Sequence, residues 1–175
     1  MNKSLKLIAI SGLMIFIFLS CGRGTEKSED NNEEGRKLQI VTTTTMLTDL
    51  LKTIGEDKVE VEGLMGEGID PHLYIASAGD VGKLSNADLI VYGGLHLEGK
   101  MTEVFEKMKE QKKSVLNVGE LLDKNQITME DENTPDPHVW FNTELWAKEA
   151  ESVANELSRI DGKNKDYYNQ NLEKY

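Results

Sequence analysis

Three residue types are scarce in this chain of 175: cysteine occurs once, and histidine and proline three times each. A single cysteine excludes an internal disulfide framework. No HExxH pair and no GxSxG elbow occur, so neither the zinc-protease nor the serine-hydrolase arrangement has an anchor. The apolar run LIAISGLMIFIFL, Leu7 to Leu19, holds thirteen residues, too few for a membrane span, which needs about 20. Basic residues are the minority, 20 against 31 acids, for a formal net charge of -11. Such a balance argues against nucleic acid as a partner, because phosphates demand Lys and Arg. It is compatible with a cation ligand, although a solvated acidic surface is its commoner meaning.

What is present begins at the N-terminus. Lys3 and Lys6, the short apolar run and the small residue Ser20 describe a secretory signal over residues 1–20. Export leaves Cys21 as a lone thiol in an oxidising compartment, where an unpaired cysteine is a liability. Phe18-Leu19-Ser20-Cys21 resembles a bacterial lipobox, with Phe18 departing from its usual aliphatic residue. Cys21 is therefore expected to be lipidated and to anchor the protein at the outer face of the cytoplasmic membrane or in the periplasm. Residues 21–37 have no aliphatic or aromatic side chain before the domain begins at Leu38; such a stretch cannot offset its ordering entropy and reads as a flexible acidic tether. Removal of residues 1–20 takes two lysines and no acid, moving the formal charge to -13.

From Leu38 onward β-rich runs alternate with helical ones. Strands are expected over 38–43, 58–65, 87–93 and 114–119, and helices over 46–55, 76–87, 97–111 and 144–160, with another from Lys165. That rhythm implies an α/β fold: a four-stranded parallel sheet flanked by crossover helices. In the helix over 144–160 Trp146, Ala150, Val153, Leu157 and Ile160 form one apolar stripe. The last helix reaches Tyr175 without a stop signal, so the chain is expected to be a portion of something longer.

Two of the three histidines and two of the three prolines share one tripeptide, Asp70-Pro71-His72 and Asp136-Pro137-His138. Proline fixes its own φ and pushes the preceding residue out of the helical region, which stiffens the loop. Both tripeptides follow strands at the carboxyl edge of the expected sheet, where open α/β sheets bind ligands. His72 and His138 are the candidate metal ligands, because two neutral imidazoles converging from separate loops suit a metal ion. Asp70 and Asp136 would orient those rings or cap turns; alternatively each histidine merely packs in a proline-containing turn. His96, between Leu95 and Leu97, is expected to pack or face solvent. Gly94 to Lys100 satisfies GxxxxGK, but Met101 offers no hydroxyl to magnesium and Glu98 would face phosphate with like charge, so nucleotide binding is not expected.

GIDPHLY, KLSNADLIVYGGLHLEGKM, DPHVWFN and DGKNKDYYNQNLEKY together resemble the manganese/zinc-type solute-binding lipoproteins of bacterial ABC importers, the TroA-like cluster. The resemblance covers Leu38 to Tyr175. It implies two α/β lobes joined by a long helix with the metal in the cleft between them, of which this sequence would hold the first lobe, 38–161, and the start of the linking helix, 162–175. It assigns His72 and His138 as that lobe's ligands, leaves the remaining ligands to the second lobe, and gives His96 no role. Zinc-specialised members often carry a His-rich acidic insert before the second tripeptide; LLDKNQITMEDENTP has acids without histidine, which tilts the expectation toward manganese or a general manganese/zinc importer. The implied function is non-enzymatic capture of a divalent metal for an importer permease. An exported metal-dependent hydrolase, or an adhesin or structural lipoprotein without metal, are the alternatives.

Overall fold

The structure, a computed structural model, describes residues 35–175; the signal run, Cys21 and most of the tether lie outside the described residues. Four parallel strands form one sheet in the order β2-β1-β3-β4. They are β1 (Leu38–Thr42), β2 (Val59–Gly63), β3 (Leu89–Tyr92) and β4 (Ser114–Asn117). The helices are α1 (Thr45–Gly55), α2 (Ala78–Asn86), α3 (Thr102–Glu110), α4 (Thr143–Ile160) and α5 (Lys165–Lys174). This is the expected α/β class, a four-stranded parallel sheet flanked by helices.

The twofold alternation of strand side chains builds two cores. Ile40, Leu89 and Val91 face Leu47, Leu50, Leu51 and Ile54 of α1, Ala150, Val153 and Leu157 of α4, and Tyr168 of α5. Val41, Ile90 and Tyr92 point the other way, to Leu84 of α2 and Phe105 and Met108 of α3. Every residue of β3 is buried, as a central parallel strand with helices on both faces requires. Each buried aliphatic side chain contributes about 1.5–3 kcal/mol.

Local capping fixes where the helices begin. The Thr44 hydroxyl accepts from the Leu47 amide, Ser77 and Asp80 form a reciprocal capping box, and the Asn142 side chain accepts from the amides of Glu144 and Leu145. Each cap contributes about 1 kcal/mol. Two of them sit on loops that carry the candidate site, so the same side chains start a helix and fix a loop.

The third crossover departs from expectation. A helix was expected from Leu97, but α3 starts at Thr102, preceded by a single 3-10 turn over Gly99–Met101. Gly94, Leu95 and His96 instead adopt consecutive left-handed backbone, with φ of 76°, 51° and 66°. The cause is Glu98, which is 3% exposed. Its Oε1 accepts from the Thr43 hydroxyl (2.6 Å) and the Gly93 amide (2.9 Å), and its Oε2 accepts from the Gly94 amide (3.0 Å). Satisfying a buried carboxyl with those donors forces the chain back on itself, a conformation that non-glycine residues adopt at a cost of about 1–2 kcal/mol each. Gly94 is required at the first position, because a Cβ there would collide with the Asn117 amide.

α4 carries a second surprise. Its buried stripe includes Glu149 beside Leu145, Ala150, Val153, Ala154 and Leu157. Glu149 is 1% exposed, and its Oε1 has no hydrogen-bond partner in the protein. Burial, and secondarily the neighbouring Glu98, pushes its carboxyl up from 4.5 to about 8. The folded chain therefore holds the proton up to about pH 8, whereas the unfolded chain releases it near 4.5. The stability tied to this group is complete below about 4.5 and is lost as pH rises to about 8, on the order of 3–5 kcal/mol in all. Glu149→Gln is expected to raise the urea midpoint markedly near pH 8 and to change it little near pH 4.5, so that the gap between variant and parent widens with pH. A gap independent of pH would show that the carboxyl is not buried in this way.

Candidate metal centre

The carboxyl edge of the sheet gathers three loops. β1 runs through the buried Thr42, Thr43 and Thr44 into α1. The β2–α2 connection carries Asp70-Pro71-His72, and the long connection from β4 to α4 carries Asp136-Pro137-His138. β1 lies between β2 and β3, so successive crossovers leave it in opposite directions, and a crevice at that reversal is where open α/β sheets bind ligands.

The repeated tripeptides fold alike. In each, the aspartate Oδ1 accepts the backbone amide of the histidine two residues on, Asp70 from His72 and Asp136 from His138, both at 2.9 Å. Such local turns suit Asp before a proline, which removes one donor and sets the bend. Asp136 does more: its Oδ1 also lies 2.7 Å from Nδ1 of the His138 ring. A carboxylate accepts only, so Nδ1 is the protonated nitrogen, and in the neutral ring Nε2 keeps its lone pair. The His138 amide and then its ring hold the Asp136 carboxyl below the ordinary carboxylate range. That keeps Asp136 ionised and able to fix the ring.

Nε2 of His138 faces Nε2 of His72 at 3.5 Å, with ring centroids 5.5 Å apart and planes inclined at 56°. Trp140 packs edge-on against His138, at 5.3 Å and 71°. Both imidazoles line a cleft of about 280 Å³ together with Thr44, Met46, Asp70 and Trp140. His72 is exposed and His138 half-buried, so one nitrogen is presented from the rim and the other from the wall.

Of the sequence-predicted residues, His72, His138, Asp70 and Asp136 thus come together. His96 does not: it is exposed and borders a larger hollow of about 420 Å³ that shares no lining residue with the histidine cleft. At the start of the GxxxxGK segment the Gly94 amide, like that of the preceding Gly93, is not free for phosphate, since Glu98 takes both. One acid was missed by sequence reasoning. Glu130, Asp136 and His138 place one ligand atom each within 4.8 Å of one another, the group of this kind found among the described residues. Glu130 is brought there by a reversal in which its amide donates to the Thr134 carbonyl and Asp131 accepts from the amides of Asn133 and Thr134. The acids of MEDENTPD were visible; the fold-back that singles out Glu130 was not.

Known proteins share this arrangement of elements. Residues 40–175 match the family model described as ZnuA, zinc-uptake complex component A, periplasmic. The manganese-binding lipoprotein MntA of Bacillus subtilis is 38% identical over 167 residues, 95% of this chain and 54% of that protein. The zinc-binding protein TroA of Treponema pallidum is 43% identical over 154 residues, 84% of this chain and 49% of that protein. Its solved structure superposes with a TM-score of 0.77 over 80% of this chain and 50% of that one. The manganese ABC transporter substrate-binding lipoprotein PsaA of Streptococcus pneumoniae is 34% identical over 181 residues, 100% of this chain and 57% of that protein. The chain spans about half the length of the curated relatives it matches. With the family match running from Ile40 to Tyr175 and the parallel sheet and crossovers superposing on a solved relative, the chain belongs to the ZnuA family of metal-uptake binding proteins.

Proposed function

We propose that this chain forms the metal-gripping part of an extracytoplasmic solute-binding lipoprotein, which captures manganese or zinc and delivers it to the permease of an ABC importer. The observation that carries the reading is the 3.5 Å separation of the two Nε2 atoms. Two nitrogens each about 2.1 Å from one tetrahedral ion lie about 3.4 Å apart, so the pair is spaced to share a single cation. By their own descriptions MntA is a manganese-binding lipoprotein, TroA a zinc-binding protein and PsaA a manganese ABC transporter substrate-binding lipoprotein.

In this reading His72 and His138 are the ligands. Asp136 sets the tautomer and aim of the His138 ring, and Asp70 stiffens the turn beneath His72. Binding needs both rings neutral, so protons compete with the ion. The metal is cargo, bound and handed on, and its capture requires no bond to be made or broken in the protein. Lipidation of Cys21, a tether over 21–37, a metal-binding lobe over 38–161 and the start of a linking helix over 162–175 complete the proposal. Between the two ions, borderline imidazole nitrogen suits zinc, whereas manganese favours oxygen; the carboxylates of Glu130 and Asp136 near His138 and the histidine-free acidic loop support manganese as well.

Calorimetric titration of manganese and zinc into the full chain tests the reading. The His72→Ala, His138→Ala double variant is expected to lose about 100-fold or more in affinity for both ions, since removal even of a group orienting a ligand loses about 10–100-fold. Asp136→Asn should weaken binding about tenfold while leaving the fold intact. Undiminished affinity in the double variant would overturn the proposal. Turnover of ester or phosphate substrates by the metal-loaded chain, lost in the same variant, would replace capture with hydrolysis.

A further inference from the structure

Next to the histidine cleft lies a second, smaller hollow with about 10 Å³ of room, close to that taken by one water molecule. Its wall is assembled from Thr44, Met46 and Leu47 of the first loop and helix, Gly93 and Leu97 of the third crossover, Pro137, Val139 and Trp140 of the second tripeptide loop, and Trp146 and Glu149 of α4. Thr44, Met46 and Trp140 belong to both hollows. Glu149 and the two histidines therefore line adjoining hollows that share those three residues. Glu149 is 1% exposed with Oε1 unpartnered in the protein, and no residue of the described function uses it.

We propose that Glu149 is a proton-linked positioning residue for metal capture: a divalent cation held by His72 and His138 drives the Glu149 proton into solvent, and return of that proton favours release of the ion. The inference rests on the reading of the histidine pair as the ion's seat. Its physical basis is the sign of the interaction. A cation and a carboxylate attract, a cation and a neutral carboxyl do so far less, and among buried side chains the attraction is screened less than in water. The groups facing Glu149 are few. The first loop and the second tripeptide loop present no ionisable side chain to the cavity, and neither does α4 apart from Glu149 itself. The third crossover presents Glu98, whose charge acts on Glu149. Glu98 accepts three hydrogen bonds, from Thr43, Gly93 and Gly94, and needs no proton for any of them. Burial raises the Glu98 carboxyl as well, against those three donors, whereas Glu149 has no donor to oppose the shift and is the member of the pair that holds its proton the more firmly. Burial holds that proton to about pH 8, and a nearby divalent charge lowers this value, since opposite charge favours the ionised form. Linkage then makes the effect reciprocal: ionisation of Glu149 tightens the site by the same factor.

Calorimetry of manganese binding to the full chain at pH 8, repeated in buffers of different ionisation enthalpy, counts the protons released per ion. The parent is expected to release about a third of a proton more than Glu149→Gln, because half of the Glu149 carboxyls are protonated there in the metal-free protein and a coupling of about fivefold ionises most of that half. The parent's affinity is also expected to gain on that of Glu149→Gln by about fivefold between pH 6.5 and pH 9. Both tryptophans of the chain, Trp140 and Trp146, line the cavity, so intrinsic fluorescence of the metal-free parent should titrate near pH 8, and Glu149→Gln should not. Equal proton counts in the two proteins, or a fluorescence signal flat from pH 6.5 to 9.5 in the parent, would overturn the inference. Failure of the histidine reading shows differently: the double histidine variant would then keep its affinity, whatever the fluorescence of Glu149 does.

Discussion

A carboxylate buried at the edge of a parallel sheet must be met by donors, and in this protein the Glu98 side chain is met by three. One comes from Thr43 at the end of β1, the others from Gly93 and Gly94 beyond β3. β1 and β3 are neighbours in the sheet, so Glu98 ties together the exits of the two central strands at the place where the crevice opens. The consequences spread outward. The tie imposes the left-handed turn at Gly94, Leu95 and His96, delays α3, and occupies the amides that a phosphate would need. It also fixes Thr43 next to Thr44, which caps α1 and lines both the histidine cleft and the smaller hollow. A buried acid satisfied by hydrogen bonds rigidifies its surroundings, while one left unsatisfied is expensive. Glu98 and Glu149 are the two cases side by side.

Against that fixed edge the two tripeptides act as equal clamps. Each uses an aspartate to accept the amide of the histidine two residues later, so backbone geometry is set locally before any ion arrives. Local preorganisation matters to the proposed site because two ligands would give a cation only modest affinity, and entropy spent on ordering loops would subtract from it. The difference between the clamps is as informative as their likeness. Only Asp136 also reaches its histidine's ring among the hydrogen bonds of the described residues; His72 is aimed by its loop alone and lies exposed. In the proposed reading an ion approaching from solvent meets the freer ring of His72 before the fixed one of His138.

Much of this was legible in the sequence. Four short β-rich runs separated by helical periodicity specify a parallel sheet, because parallel strands need crossovers and crossovers of this length are helices. The pairing of His72 with His138 was legible through scarcity, two rare residues spent twice in one tripeptide at the same edge. What escaped has a common cause. Glu98 fell in the first turn of an expected helix, Glu149 lay outside the apolar stripe read for its helix, and Glu130 looked like one acid among several. Periodicity reports which face of an element is apolar; it carries no information about a charged side chain buried by partners distant in sequence. Thr43 and Glu98 stand 55 positions apart, and no local pattern couples them.

The same distinction bears on how such a site chooses its ion. Two imidazoles alone favour zinc over manganese, following the general order of affinities for nitrogen ligands. Discrimination toward manganese must then come from oxygen ligands and from the field around the pair. The described residues contribute to that field on two sides: Glu130 and Asp136 lie near His138 on the solvent side, and Glu98 with Glu149 lies within the protein. A field built from carboxylates that do not touch the ion raises the affinity of every divalent cation alike, since they share one charge. On the proposed reading it would therefore set how strongly the cleft draws ions and how that draw varies with pH, while the identity of the ion would be decided by the atoms that touch it. Strength and selectivity reside in different residues, and substitution at Glu149 would alter the first without reordering the second.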